Sequence, residues 1–174
     1  VMIAADIENV FNTGVGHCHD TVLRGGASEP FYQAPKAKDC LATIWYRADY
    51  LRSALHELAH WCVAGLARRQ QDDYGYWYSP DGRSPEQQRA FFQVEARPQA
   101  IERLFCEALA IPFEVSVDNL NGVCADSDIK AFDAEVERLA AQLLEHGLSS
   151  RAQNLLDDLR ALRIYGPRAV CNAC

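Results

Sequence analysis

Apolar residues recur along the chain at two spacings, and those spacings assign most of its elements. Ile3, Ile7, Val10 and Phe11 follow the helical period and predict a short amphipathic helix over residues 3–12. Residues 13–40 lose that period and read as loop, with short strands near residues 21–23 and 31–32. Residues 41–46, Leu-Ala-Thr-Ile-Trp-Tyr, are β-branched and aromatic and predict a buried strand. A long helix is expected from about residue 50 to 69, with Leu51, Leu55, Leu58, Cys62 and Leu66 as its apolar stripe.

An aromatic, glycine-containing loop follows over residues 72–84. Ser84-Pro85-Glu86-Gln87 is a helix start, with serine as cap, proline in the first position and Gln87 closing a capping box. Pro98 is expected to break or kink that helix. A further helix would hold Ile101, Leu104, Phe105, Ala108 and Leu109, and residues 115–117 read as a short strand. Two C-terminal helices complete the chain, one capped by Ser127 and ending at Gly147, the other starting near Ser150. Helices dominate and nothing reads as a linker. The expectation is one α+β domain over residues 1–174, mainly helical with a small sheet.

Composition narrows the function classes. With 174 residues, 49% of them apolar, the chain can bury a real core, which excludes a disordered tail, a collagen-like fibre and a coiled-coil rod. No apolar run approaches the roughly 20 residues of a membrane span. The opening Val-Met-Ile-Ala-Ala turns acidic too soon for a secretory signal. Seven irregularly spaced cysteines suit a reducing cytoplasm. The formal charge of −7 argues against general nucleic-acid binding, since Arg68-Arg69 is the densest basic pair.

The chemistry concentrates in His56-Glu57-Leu58-Ala59-His60. On a helix, His56 and His60 stand about one turn and about 40° apart, so both imidazoles reach one metal ion. Ala59, Val63, Ala64 and Ala67 surround them with small apolar groups and few polar partners. A bound cation would relieve the cost of burying such groups there. A third ligand is needed, and Asp73, Glu95, Glu102 and Glu107 are the candidates. Glu95 shares an inward strip with Phe91 and is the preferred one, whereas Glu102 and Glu107 read as solvated positions.

Two chemistries fit that set. Zinc with three protein ligands and water makes a hydrolytic site with Glu57 as general base. Iron on two histidines and one carboxylate leaves positions for dioxygen and substrate. Gln99 stands four residues after Glu95, where peptidases with a glutamate ligand often carry aspartate.

Beyond this motif, residues 56–65, Ala67-Arg68-Arg69, residues 73–78 and Pro80-Asp81-Gly82-Arg83 resemble the bacterial elongation factor P hydroxylases. Val94-Glu95, Pro98-Gln99-Ala100, Leu104-Phe105-Cys106, Pro112-Phe113, Asp118-Asn119-Leu120 and the upstream Glu29-Pro30-Phe31-Tyr32 extend the likeness in order over residues 26–122. The resemblance implies a non-haem metal monooxygenase that hydroxylates the β-lysylated lysine of elongation factor P. It implies His56, His60 and Glu95 as metal ligands, Fe(II) as the expected ion with zinc as the other choice, and dioxygen as co-substrate. Glu57 would then orient a ligand or a water. The loop from Tyr74 to Arg83, with Tyr76, Trp77 and Arg83, and the carboxylate of Asp73, would grip the cationic substrate arm. His17-Cys18-His19 and Cys171-Asn172-Ala173-Cys174 carry ligand types without a context that makes either a site.

Overall fold

The computed structural model describes residues 3–48, 50–75, 82–118 and 124–166. Helix α1 (Ala4–Thr13) buries Ala4, Ile7, Val10 and Phe11, the face its periodicity marks. Its polar side chains fasten the first strand, β1 (Thr21–Ala27). The Asn12 amide donates to Leu23 O at 3.0 Å and accepts from Leu23 N at 2.7 Å. Glu8 Oε1 accepts from Gly25 N at 2.7 Å and from the Tyr46 hydroxyl at 2.8 Å. Gly25 admits no side chain, because a Cβ there would lie 2.6 Å from Ala48 O and 2.7 Å from Tyr46.

β2 (Phe31–Gln33) and β3 (Ala42–Arg47) complete a three-stranded sheet of order β1-β3-β2. β1 runs parallel to β3, with Leu23 opposite Ile44, and β2 runs antiparallel, with Tyr32 opposite Ile44. Ala42, Ile44 and Tyr46 alternate into the core. Among the described residues no strand pairs with the outer edge of β2. Instead Asp73 Oδ1 accepts from Tyr32 N at 3.0 Å and Asp72 Oδ1 from Ala34 N at 2.9 Å.

Helix α2 (Leu51–Val63) carries the histidine motif and is shorter than its pattern predicts. Ala64 turns extended and Gly65 follows, while Arg151 donates to Trp61 O at 2.7 Å and Ala64 O at 2.5 Å. A cation on the last carbonyls ends the helix favourably. Leu66 therefore leaves the apolar stripe and is exposed.

The break expected at Pro98 does not occur. α3 (Pro85–Leu109) is one helix through that residue, opened by the expected Ser84–Gln87 capping box. One backbone hydrogen bond is forgone at Pro98, but α3 packs against α2, α4 and α5, and that burial carries it through. α4 (Asp126–His146) starts after Ala125 rather than Ser127, with Asp126 and Asp128 in its first turn, and stops at Gly147. α5 (Ser150–Tyr165) is capped by Ser149.

Residues 115–117 form no strand; 111–118 is a strap with no regular structure, held by side chains. Gln99 donates to Ser116 O at 2.8 Å and accepts from Ser116 N at 2.9 Å. Gln88 donates to Val117 O at 2.9 Å and Arg52 to Glu114 O at 2.9 Å. Phe11, Leu23, Ile44, Leu55, Leu58, Trp61, Phe105 and Leu155 belong to one core joining sheet and helices. The result is a mainly helical α+β fold with a small sheet. No helix among the described residues is long and apolar enough to cross a membrane.

Candidate metal centre

The helical spacing of α2 turns His56 and His60 toward α3, where Glu95 is 3% exposed. His60 Nε2 lies 3.1 Å from His56 Nε2 and 3.1 Å from Glu95 Oε1, and His56 Nε2 lies 3.6 Å from Glu95 Oε2. An ion bound at about 2.1 Å separates neighbouring ligand atoms by about 3.0 Å at right angles and about 3.4 Å at the tetrahedral angle. The three spacings match one ion held on one face. Among the described residues no other group of three ligand types converges this way.

The tautomer of His56 follows from its other nitrogen. Nδ1 lies 2.9 Å from Glu102 Oε2, and a carboxylate only accepts, so Nδ1 carries the proton. The neutral ring then points its Nε2 lone pair at His60 and Glu95. His56 Nε2 and the Glu95 oxygens are then all acceptors, so a proton, on His60 Nε2 or on His56, or a cation must stand among the three side chains. In the metal-free protein a proton takes that place. Burial opposes the charged form of His56, but the Glu102 hydrogen bond and the Glu95, Glu102 and Glu57 charges outweigh it and raise its pKa to about 10. Glu95 responds in the other sense. Burial would raise its pKa, yet the His60 charge and hydrogen bond, the His56 charge and the Gln99 amide bring it to about 2.

Glu102 is the residue that the sequence pattern misplaces. It is 2% exposed, not solvated, and accepts from Arg52 Nε at 2.9 Å and Nη2 at 2.6 Å besides orienting His56. A carboxylate behind a ligating histidine fixes the ring and raises its basicity. Gln99 is the second omission: its amide nitrogen donates to Glu95 Oε2 at 3.2 Å. The surroundings are therefore more polar than the small residues of α2 suggest. A signal for both lies in α3 itself, where Gln88, Glu95 and Glu102 recur every seven residues with Gln99 beside them. All four are buried on one face.

Glu57 lies beside this cluster with no hydrogen-bond partner among the described residues. Burial raises its pKa, the two histidines lower it, and the Glu95 and Asp73 charges raise it again. Asp73, another candidate, sits in a left-handed turn and is used to hold β2. Its neighbour Tyr74 stacks on Tyr32 at 4.2 Å between ring centres. Arg83 is buried. It grips the carbonyl and carboxylate of Asp118 and lies 4.0 Å over the Phe91 ring. Asp118 keeps its side chain 65% exposed; partial burial raises its pKa, Arg83 lowers it by charge and hydrogen bond, and the Glu95 charge raises it. Tyr76 and Trp77 lie outside the described residues. Glu107 is partnered with Arg103 on the surface and away from the histidines.

Comparison with known proteins agrees with this geometry. The elongation factor P hydroxylase family profile matches residues 10–171, well beyond the motifs around the histidines. The elongation factor P lysine hydroxylase of Haemophilus influenzae is 40% identical over 150 residues, covering 86% of this chain and 83% of that protein. Two histidines on α2, a buried carboxylate on α3 and this match over most of the sequence place the chain in the elongation factor P hydroxylase family.

Proposed function

We propose that this protein hydroxylates elongation factor P on the lysine that carries the β-lysine modification, using Fe(II) held by His56, His60 and Glu95 and dioxygen as co-substrate. The observation that carries the reading is the convergence of three ligand-type side chains within ligand spacing, in a chain of this family. Family membership gives no support to the hydrolytic reading of the same motif. Fe(II) bound there would supply dioxygen activation, because two histidines and one carboxylate occupy a single face and leave the rest open.

The chain's own residues do the remaining work. Glu102 and Arg52 hold His56 in the tautomer that presents Nε2, and Gln99 sets the angle of Glu95. Glu57, whose pKa burial raises and the two histidines lower, would serve as the acid–base group beside the metal ligands. Burial raises the pKa values of Glu57, Asp73 and Asp118, and each is further raised by neighbouring carboxylates. Negative charge gathered this close to the ligands favours a substrate arm bearing two amines. A translation-factor substrate supports a cytoplasmic setting for the reaction.

The test is reconstitution with Fe(II) under anaerobic conditions, then admission of oxygen with β-lysylated elongation factor P. Mass spectrometry should show one oxygen atom gained on the modified lysine. His60→Ala and Glu95→Ala should lose both iron and activity while the helical circular dichroism persists. Full activity in either variant would refute the ligand assignment.

A further inference from the structure

While His60 faces α3, its neighbour Trp61 faces the opposite way, toward α1, the turn at His17–His19 and α5. Phe11 meets its indole edge-on at 5.1 Å, His19 at 5.6 Å, and the Arg151 and Arg69 guanidiniums lie 4.6 and 5.9 Å from the ring centre. Two guanidiniums share one indole here, and neither has a carboxylate partner among the described residues. Arg151 has a structural purpose, since it caps the carbonyls of α2. Arg69 has none of that kind. Its side chain makes no hydrogen bond or ion pair among the described residues, and its Nε is sealed from solvent without a partner.

Arg69 opens onto a cavity of about 630 Å³ between β2, the following loop and the end of α2. Lys36, Lys38 and His19 also line it, against the single carboxylate of Asp20. Neither lysine has an ion-pair partner among the described residues. In a chain of net charge −7 this local excess of unpaired cations is the exception. Unpaired like charges gathered around a concave space are stabilised by an anion of matching charge.

We propose that this cavity is a phosphate site, separate from the metal centre, that takes the phosphate group of a small phosphate-bearing molecule. Arg69 is its main contact, His19 donates a hydrogen bond, and Lys36 and Lys38 hold the mouth. Three fixed cations against one carboxylate suit a doubly charged group, and the planar fork of arginine suits phosphate oxygens. The volume matches a small ligand rather than a strand. An extended nucleic acid would have to lie across the acidic remainder of the surface.

The experiment titrates the full-length protein at constant ionic strength with inorganic phosphate, adenosine monophosphate and a single-stranded RNA decamer, read by calorimetry and by the arginine side-chain resonances. Phosphate and the mononucleotide should saturate one site, with the Arg69 Nε–H resonance shifting. Arg69→Gln should weaken binding by about tenfold or more, the scale of one charged hydrogen bond lost. The exposed pair Lys36→Gln and Lys38→Gln should weaken it severalfold without touching the core, which decides the matter if Arg69→Gln does not fold. His60→Ala should leave phosphate binding unchanged. No saturation by about 10 mM phosphate, a free energy weaker than a built site gives, would overturn the proposal. So would retention of binding in both variants. RNA binding without phosphate or mononucleotide binding would replace it with a nucleic-acid surface.

Discussion

Replacing Glu102 with glutamine keeps the shape of the side chain and removes its charge. The carboxylate serves two donors at once, His56 Nδ1 at 2.9 Å and the Arg52 guanidinium at 2.9 and 2.6 Å. An amide cannot satisfy both. If its oxygen faces Arg52, its NH2 meets His56 Nδ1, the ring takes the other tautomer, and Nε2 acquires the hydrogen that excludes a metal. If the oxygen faces His56, the NH2 meets the guanidinium and two donors collide. Loss of a carboxylate behind a ligating histidine costs about 10- to 100-fold in metal affinity, or about 1.4–2.8 kcal/mol. Arg52 retains the carbonyls of Glu114 and Pro112, so the metal-free fold should lose about 1–3 kcal/mol. Competition between protein and a chelator of known affinity reads the first quantity, and urea unfolding of the metal-free protein reads the second. An unchanged metal affinity in a folded Glu102→Gln protein would show that His56 needs no such orientation, and the tautomer argument would fall.

Further outcomes follow from the same geometry. In the metal-free protein His56 stays protonated at neutral pH because its pKa is raised to about 10, so metal binding must expel that proton. Affinity should rise by about tenfold per pH unit from neutrality toward pH 10, with about one proton released; calorimetry in buffers of different ionisation heat would expose a pH-independent affinity if this is wrong. Gln99→Leu strips both backbone partners from Ser116 and should destabilise the fold by about 2 kcal/mol, with faster hydrogen exchange at the Ser116 amide. Unchanged exchange there would mean that the strap is held by other contacts. Arg151→Met leaves the Trp61 and Ala64 carbonyls without their cation and should cost about 2–3 kcal/mol in urea unfolding. An unaltered midpoint would show that α2 ends for reasons of sequence alone.

The histidine pair, Glu95, the capping box at Ser84 and most helices are legible in the sequence because each depends on neighbours within about one or two turns. Where the reading fails, the cause lies far along the chain. Arg151, about 90 residues downstream, terminates α2 six residues early, and no local pattern at residues 64–69 encodes that contact. Pro98 is tolerated because three other helices pack on α3. Residues 115–117 have strand-forming types, but glutamine side chains take the place that a neighbouring strand would fill. Glu102 looks solvated from the helical pattern alone; only the approach of Arg52 and His56 from α2 makes its burial affordable.

Glu95 and Glu102 stand two turns apart on one continuous rod. One of them is a prospective ligand, and the other steadies a ligand borne by the facing helix. On the proposed ligand assignment, coordination would depend on a single sliding coordinate, the axial registry of two cylinders. A shift by one helical turn, about 5.4 Å, would unseat every donor together instead of loosening them in sequence. Ion capture and release should accordingly be all-or-none, and ion loading should act as a latch that locks these two rods against shear.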